Sequence, residues 1–89
     1  MTYKKITAST NDIFSGEQVT IYQIVLFGGS DAATVTLENA ATSGTKDFVK
    51  LDASAGSKNY VSWWSQGLVV NYVSATLTGT SPILYIYYV

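Results

Sequence analysis

The chain of 89 residues contains no cysteine, no histidine and no arginine. Without cysteine it can form neither a disulfide nor a thiolate site. Without histidine it lacks the most common metal ligand and the most common general base. Small domains are usually reinforced by disulfides, metals or association. Association with copies of itself or with a partner is therefore the favoured reinforcement.

Charge is scarce as well. Five lysines and six carboxylates give a net charge of -1, and charged residues make up 12% of the chain, about half of the usual ~25%. Nucleic-acid binding requires a basic footprint, so no nucleic-acid partner is predicted. Two interpretations of the sparse charge stay open. Neighbouring molecules could occupy much of the surface, or the surface could be polar through serine and threonine.

Long hydrophobic runs are missing. The longest central run, "IVLF" at residues 24–27, is far below the ~20 residues of a transmembrane helix, so no membrane partner is predicted. The start, "MTYKKITAST", has Lys4 and Lys5 but no apolar stretch after them. This start lacks the pattern of a signal peptide, and we expect the chain to be made without export.

The sequence is instead rich in strand-forming residues, with turn residues at short intervals. No segment sustains a 3.6-residue apolar period, so no helix is predicted. The pattern predicts eight strands, at residues 2–8, 18–28, 33–39, 46–52, 58–63, 67–71, 72–79 and 82–89. The sixth and seventh are alternatively one bent strand.

Short strands at this spacing indicate an all-β domain over residues 1–89. The preferred form is an antiparallel β-sandwich of two four-stranded sheets, jelly-roll-like in topology. Gly28 and Gly29 predict a tight hairpin turn with positive φ. Pro82 is expected at the first position of the last strand, where its missing N–H is tolerated.

Two strands alternate between apolar and polar residues, which predicts one buried and one solvated face for each. The segments are "ATVTLE" and "YVSATLTG". The predicted buried residues are Ala33, Val35 and Leu37 in the first and Val73, Ala75 and Leu77 in the second. The predicted solvated residues are Thr34, Thr36 and Glu38, and Ser74, Thr76 and Thr78.

Two other strands are apolar on both faces. In "VTIYQIVLF", Val19, Ile21, Val25 and Phe27 share one predicted face with Gln23, and Tyr22, Ile24 and Leu26 share the other. In the closing strand, Ile83, Tyr85, Tyr87 and Val89 oppose Leu84, Ile86 and Tyr88. If these strands are neighbours, their outer faces form one patch of Tyr, Ile and Leu, which is the candidate interface. Two alternatives stay open: the tyrosines simply suit an exposed pleated surface, or a loop such as residues 9–17 covers the patch.

The adjacent residues Trp63 and Trp64 face opposite ways if they lie in a strand. One can fill the core, and the other then lies near the surface, close to Tyr60. An exposed tryptophan here could stack on a sugar, anchor a protein interface or pack under a loop. The residues leave these three interpretations open.

No constellation of side chains predicts catalysis. The six carboxylates show no spacing typical of acid–base chemistry or of a calcium site. Asp31 is expected to bond its own backbone in a turn. The segment "GGSDAA" lacks the Lys-Ser/Thr pair and the helix of a phosphate-binding loop. We predict no enzyme, no metal and no cofactor.

The segments "QIVLFGGSDAATVTLENAATSGT" and "WSQGLVVNYVSATLTGTSPILYIYYV" resemble small virion proteins of tailed bacteriophages, including cyanophages. The shared pattern is a hydrophobic strand, a Gly-Gly turn, an "AATVTL" strand, an "SGT" loop, an "ATLTGTSP" turn and an aromatic closing strand. The resemblance covers about residues 22–89 and carries no catalytic signature. It implies a β-sandwich on capsids, tails or fibres, located in the virion and assembled in the host cytoplasm.

The leading hypothesis is a non-enzymatic capsid decoration or cement protein. Its partner would be the major capsid protein or another virion protein, and it would form a homo-oligomer, with a trimer among the options. The predicted interface residues are Tyr22, Trp63, Trp64, Tyr85, Tyr87 and Tyr88. One alternative is a carbohydrate- or receptor-binding module with a groove around Asn59, Tyr60 and Trp64. Another is a self-assembling knob of a tail fibre.

Overall fold

The computed structural model describes residues 1–40, 47–63 and 65–89. In these residues the regular structure consists of strands, and no helix is long and apolar enough to cross a membrane. The strands are β1 (Thr2–Ile6), β2 (Val19–Phe27), β3 (Ala33–Glu38), β4 (Asp47–Ala53), β5 (Lys58–Ser62), β6 (Leu68–Val70), β7 (Ser74–Thr78) and β8 (Ile83–Tyr88). The prediction of eight strands is confirmed, and each begins and ends within two residues of its predicted bounds.

The strands form two antiparallel sheets that pack face to face, so the predicted β-sandwich is confirmed. The first sheet has five strands in the order β1-β8-β2-β5, and β6 also pairs with β2. The second has three strands in the order β4-β3-β7. The prediction of two four-stranded sheets is therefore wrong, because β2 is long enough to pair with two short strands along one edge.

Strands β5 and β6 lie end to end beside β2. Lys58 is opposite Phe27 and Ser62 is opposite Gln23, while Leu68 is opposite Ile21. The alternative of β6 and β7 as one bent strand is wrong, because β7 pairs with β3 in the other sheet.

The core lies between the sheets and is apolar. Its buried side chains come from both sheets and one loop: Ile6, Phe14, Val19, Ile21, Ile24, Leu26, Ala33, Val35, Leu37, Val49, Leu51, Ala53, Val70, Val73, Ala75, Leu84 and Ile86. Burying each large aliphatic side chain stabilises the fold by about 1.5–3 kcal/mol.

The predicted faces of β2 are wrong after its third residue. A β-bulge lies between Ile21 and Gln23, because these two residues oppose the consecutive Tyr88 and Tyr87 of β8. Tyr22 is the extra residue. The bulge reverses the alternation, so the core side of β2 carries Val19, Ile21, Ile24 and Leu26.

Strands β3 and β7 alternate as predicted on their core side, where Ala33, Val35, Leu37, Val73 and Ala75 are buried and Leu77 packs against the core. Two residues on the predicted solvated side are buried instead, namely Glu38 and Ser74. They are directly opposite each other at one end of the sheet, and the β3–β4 register shifts beside Glu38.

Gly28 and Gly29 do not form the predicted hairpin turn, because β2 and β3 belong to different sheets. Neither glycine has a positive φ. Each instead lies against the backbone of another loop. A Cβ at Gly28 would lie 2.1 Å from Ser54 O, and one at Gly29 would lie 2.1 Å from Thr80 O. The glycines are required by close backbone approach at this crossover.

The segment between β1 and β2 packs against β7 and β8. Thr10 exchanges backbone hydrogen bonds with Ala75, and the N–H of Ile13 donates to Val73 O. Phe14 is buried, with its ring centroid 4.6 Å from that of Tyr88. This segment therefore closes one side of the core.

Candidate functional site

The outer face of the five-stranded sheet carries a continuous group of aromatic and aliphatic side chains. Cross-strand partners point to the same side of a sheet, so the register defines its members. We name this surface the aromatic face. Its residues are Tyr3 and Lys5 of β1, Ile83, Tyr85 and Tyr87 of β8, Gln23, Val25 and Phe27 of β2, and Lys58, Tyr60 and Ser62 of β5.

The aromatic face is ordered in three rows across the strands. The first runs Tyr3, Tyr87, Gln23, Ser62, the second runs Lys5, Tyr85, Val25, Tyr60, and the third runs Ile83, Phe27, Lys58. Strands lie about 4.8 Å apart and rise about 3.4 Å per residue, so the face measures about 19 by 17 Å. Four of its eleven members are polar, namely Lys5, Gln23, Lys58 and Ser62, so the apolar part of the face is smaller than this outline.

The rings of the face contact one another. The centroid of Tyr3 lies 5.7 Å from that of Tyr85 and 6.0 Å from that of Tyr87. Phe27 meets Tyr85 edge to face at 5.9 Å, and Tyr85 stacks with Tyr87 at 6.4 Å. Such pairs contribute about 0.5–1.5 kcal/mol each beyond the area they bury. The rings of Tyr3, Phe27, Tyr85 and Tyr87 therefore form one contiguous cluster.

Much of the face remains accessible. Tyr3 and Tyr60, near its two edges, are 58% and 59% exposed. Segment 9–17, the loop considered as a possible cover, packs elsewhere, because Thr10 pairs with Ala75 and Phe14 enters the core. On the N-terminal side of the bulge, Thr20 lies between the exposed side chains of Val69 and Val89, and these residues continue the surface.

Lysines flank the aromatic centre, and carboxylate side chains are absent from it. Lys5 lies directly opposite Tyr85, and Lys58 lies directly opposite Phe27. All six carboxylates of the chain fall within the described residues, and none belongs to the aromatic face as its register defines it. Asp47 and Asp52 lie on β4 in the other sheet, and Glu38 is buried there.

The structure places the predicted interface residues at several different positions. Tyr85 and Tyr87 belong to the aromatic face, whereas Tyr88 points to the opposite side and contacts Phe14. Tyr22 is half-buried at the bulge. Its ring carbons lie 3.1 Å from where a Cβ of Gly67 would be.

Both tryptophans were predicted as interface residues. Trp63 is half-buried and packs against the core, and its backbone N–H donates to Tyr22 O at 2.7 Å. Trp64 lies outside the described residues. The suggested sugar groove is not assembled from its described members, because Asn59 and Tyr60 are consecutive on β5 and point to opposite sides. The Asn59 side chain also donates to Asp52 O and accepts from the N–H of Tyr60.

Of the eleven residues of the aromatic face, only Tyr85 and Tyr87 were predicted as interface residues. Tyr3, Lys5, Lys58 and Val25 were not predicted as interface residues, and Tyr60 was considered only beside the tryptophans. The alternation in "TYKKI" and "KNYVS" was the available signal. It could not be used without knowing that β1 and β5 flank β8 and β2.

Three carboxylates outside the face have structural partners. Asp12 accepts a hydrogen bond from the N–H of Gly16 at 2.7 Å, and Asp31 accepts one from the Thr80 hydroxyl at 2.7 Å. Asp31 was expected to bond its own backbone, but it accepts this hydrogen bond from a side chain of the loop before β8. Asp47 lies 3.5 Å from the Lys50 ammonium. In the described residues no three metal-ligating side chains come together.

The structure also has two shallow depressions, the second of which borders the aromatic face at Ser62. One, of about 220 Å³, lies between Lys4, Phe14, Glu17 and Tyr88. The other, of about 250 Å³, lies beside Trp63 and Gln66. The first contains one carboxylate, and the lining of the second contains no charged side chain. The aromatic face is therefore the strongest candidate site. Comparison of the chain with protein families, curated proteins and solved structures finds no match.

Proposed function

We propose that this protein is a non-enzymatic structural protein that attaches to a larger protein assembly through the aromatic face. The observation that carries the proposal is the set of exposed and half-exposed rings of Tyr3, Tyr60, Tyr85 and Tyr87 on one side of one sheet. Aromatic residues are enriched at protein interfaces, where they supply contact area at low entropic cost.

The core of the sandwich does not require this face. The side chains that fill the space between the sheets, such as Ile24, Leu26, Leu84 and Ile86, come from the opposite side of the same strands. Solvated sheet faces usually carry polar residues. The apolar residues Val25, Phe27 and Ile83 on the outer side are therefore better explained by a bound partner than by the stability of the monomer.

The proposed setting is the virion of a tailed bacteriophage. This rests on the resemblance in residues 22–89 to small phage virion proteins. In that setting the protein decorates the capsid, where the major capsid protein is its partner. The same face, repeated on many copies, would give a multivalent attachment to a repeating surface.

We also infer a jelly-roll topology, which is common in viral capsid domains. The bridge of Thr10 to Ala75 supports it. Eight strands result when the segment around Thr10 is counted as the second strand and β5 together with β6 as the sixth. In this numbering the first strand pairs with the eighth, the second with the seventh, the third with the sixth and the fourth with the fifth. This nesting is expected of a long antiparallel ribbon rolled into two sheets.

The alternative of a carbohydrate-binding module has less support. Its proposed groove requires Asn59 and Tyr60 to converge, and the two side chains point apart. A fibre knob remains compatible with the aromatic face, but no described feature favours it over attachment to a capsid.

Attachment to capsids of the phage that encodes the chain tests the proposal. We compare Tyr87→Asp, on the aromatic face, with Thr36→Asp, which lies opposite Lys50 on the other sheet. A charge at an interface hot spot costs about 2 kcal/mol or more, so Tyr87→Asp should attach about 30-fold more weakly. Thr36→Asp should attach like the parent chain, and both variants should keep their strand circular dichroism.

Equal attachment of Tyr87→Asp and the parent chain would overturn the proposal. A gene for the major capsid protein beside that of the chain would support the capsid setting, whereas a neighbouring fibre gene would favour the knob. Selective binding on a glycan array that Tyr60→Ala abolishes would favour the carbohydrate module.

A further inference from the structure

We propose that the partner surface that docks on the aromatic face is apolar at its centre and carboxylate-bearing at its rim, and that it is not a second copy of this face. The inference rests on the proposed function, because it identifies the chemistry of the partner at the same site.

Charge is segregated in this molecule. Lys5 and Lys58 lie on β1 and β5, one on each side of the rings of Tyr85 and Phe27. The remaining charges of the two sheets are elsewhere. Lys4 points to the core side and lies 6.0 Å from the Phe14 ring centroid, and Lys50 is on the other sheet beside Asp47. A nearly neutral protein thus presents one face whose only charged side chains are cationic.

Complementary charges at an interface rim steer association and select partners. An apolar centre with lysines at its margins therefore matches a surface with carboxylates at the corresponding margins. Lysine side chains can also extend their methylene stems over neighbouring rings while the ammonium groups stay in water. Lys5 and Lys58 can thus contact rim carboxylates without burial of either charge.

A second copy in face-to-face pairing does not supply these carboxylates. An isologous interface brings the same surface of two subunits together. Each copy would contribute its two lysines and no Asp or Glu side chain, and like charges across an interface are unfavourable. The face therefore selects against its own copy and in favour of an acidic partner.

Single-stranded nucleic acid is a different class of ligand, since exposed rings on a sheet can stack on bases. Two observations favour protein. The face provides only two cations for a backbone of phosphates, and the net charge of the chain is -1. The rings also contact one another at 5.7–6.4 Å, so they form a continuous surface and not separate platforms for successive bases.

The test uses two synthetic peptides that alternate aromatic residues with either glutamate or lysine. Each is titrated into the isotope-labelled chain, and amide resonances are followed by NMR. We expect the glutamate peptide to shift the resonances of the aromatic face and to bind about tenfold more tightly than the lysine peptide, because two exposed ion pairs together contribute about one factor of ten. Added salt should reduce the difference.

A matched pair of variants isolates the charges. Lys5→Glu with Lys58→Glu alters the face, and Lys4→Glu with Lys50→Glu makes the same change of net charge off the face. The double variant at Lys5 and Lys58 should prefer the lysine peptide. The double variant at Lys4 and Lys50 should prefer the glutamate peptide, as the parent chain does.

Several results would overturn the inference. Equal binding of both peptides would show that the partner needs no carboxylates, while the aromatic face would still be a docking surface. Sedimentation that shows dimers, with resonance changes confined to the face, would favour a second copy. Stronger shifts with an oligothymidine than with the glutamate peptide would favour nucleic acid. Binding of neither peptide would refute the acidic rim, and the Tyr87→Asp attachment assay then reports separately on the proposed function.

Discussion

Ile21 and Ile24 both point into the core from the same strand, although they are three residues apart. Both side chains are fully buried. In a regular strand, residues three apart lie on opposite faces. The extra residue Tyr22 removes this conflict, because two residues of β2 cover the length of one step on β8. Because of the bulge, β2 supplies buried residues both before and after Tyr22. The residues that alternate with the buried ones after Tyr22 belong to the aromatic face.

Deletion of Tyr22 should preserve the fold. Without it, β2 would alternate regularly and keep Ile21, Ile24 and Leu26 on the core side. We expect a loss of about 1 kcal/mol in the free energy of unfolding, mainly from the hydrogen bond that Tyr22 O accepts from Trp63. Deletion of Val25 is the control, because it turns Leu26 outward and should cost about 3 kcal/mol or more. Urea unfolding measures both, and equal losses would contradict the role assigned to the bulge.

Phe14 should be the main anchor of the segment between β1 and β2. Its buried ring contacts Tyr88, and truncation of a buried phenylalanine costs about 3–5 kcal/mol. Phe14→Ala should therefore lower the free energy of unfolding by about 3 kcal/mol. Tyr60→Ala removes a similar ring from a position that is 59% exposed, and should change the free energy of unfolding by about 0.5 kcal/mol. Similar effects of the two changes in chemical denaturation would argue against this anchoring role.

Gly28→Ala should be far more disruptive than Gly56→Ala. The new methyl group at Gly28 would lie 2.1 Å from Ser54 O, whereas at Gly56 no atom lies within 4 Å. Gly56 has a φ of +70°, so its substitution costs only the strain of a left-handed residue, about 1 kcal/mol. Gly28→Ala requires two loops to separate and should cost about 3 kcal/mol. The melting temperatures of the two variants check this order, and a reversed order would refute it.

Ser74→Ala should destabilise the fold through lost hydrogen bonds. The buried hydroxyl donates to Ala40 O at 2.6 Å and accepts from the N–H of Asp12 at 3.0 Å. Leaving such partners unpaired costs about 1–3 kcal/mol. The exposed Ser65 provides the control, since Ser65→Ala should change the free energy of unfolding by less than about 0.5 kcal/mol. If calorimetry finds no difference between the variants, the Ser74 hydroxyl does not link these loops.

Local pattern was enough to locate the strands. Alternation in "ATVTLE" and the turn residues around each segment reflect the chemistry of a few neighbouring residues, and the predicted bounds agree with the structure within two residues. The two sides of β8 were also predicted, with Leu84 and Ile86 on one and Tyr85 and Tyr87 on the other. Because both sides are apolar, the pattern did not show which one is buried.

The sides of β2 were not predictable in the same way. Both sides of β2 carry apolar residues, so its sequence is equally consistent with a regular strand and with a strand that has an extra residue at Tyr22. The pairing of strands distant in the chain carries the missing information. The division into five and three strands, the crossover packed at Gly28 and the burial of Glu38 depend on these long-range pairs in the same way.

The amino-acid order therefore accounts for an all-β chain with two strands that are apolar on both sides. The assembly of Tyr3, Tyr60, Tyr85 and Tyr87 into one surface with Lys5 and Lys58 at its margins came from the folded chain. These residues lie on three strands, and their relative positions depend on backbone hydrogen bonds between segments far apart in sequence. Side-chain pattern reports which sides of a strand are apolar, whereas register sets which residues share a surface.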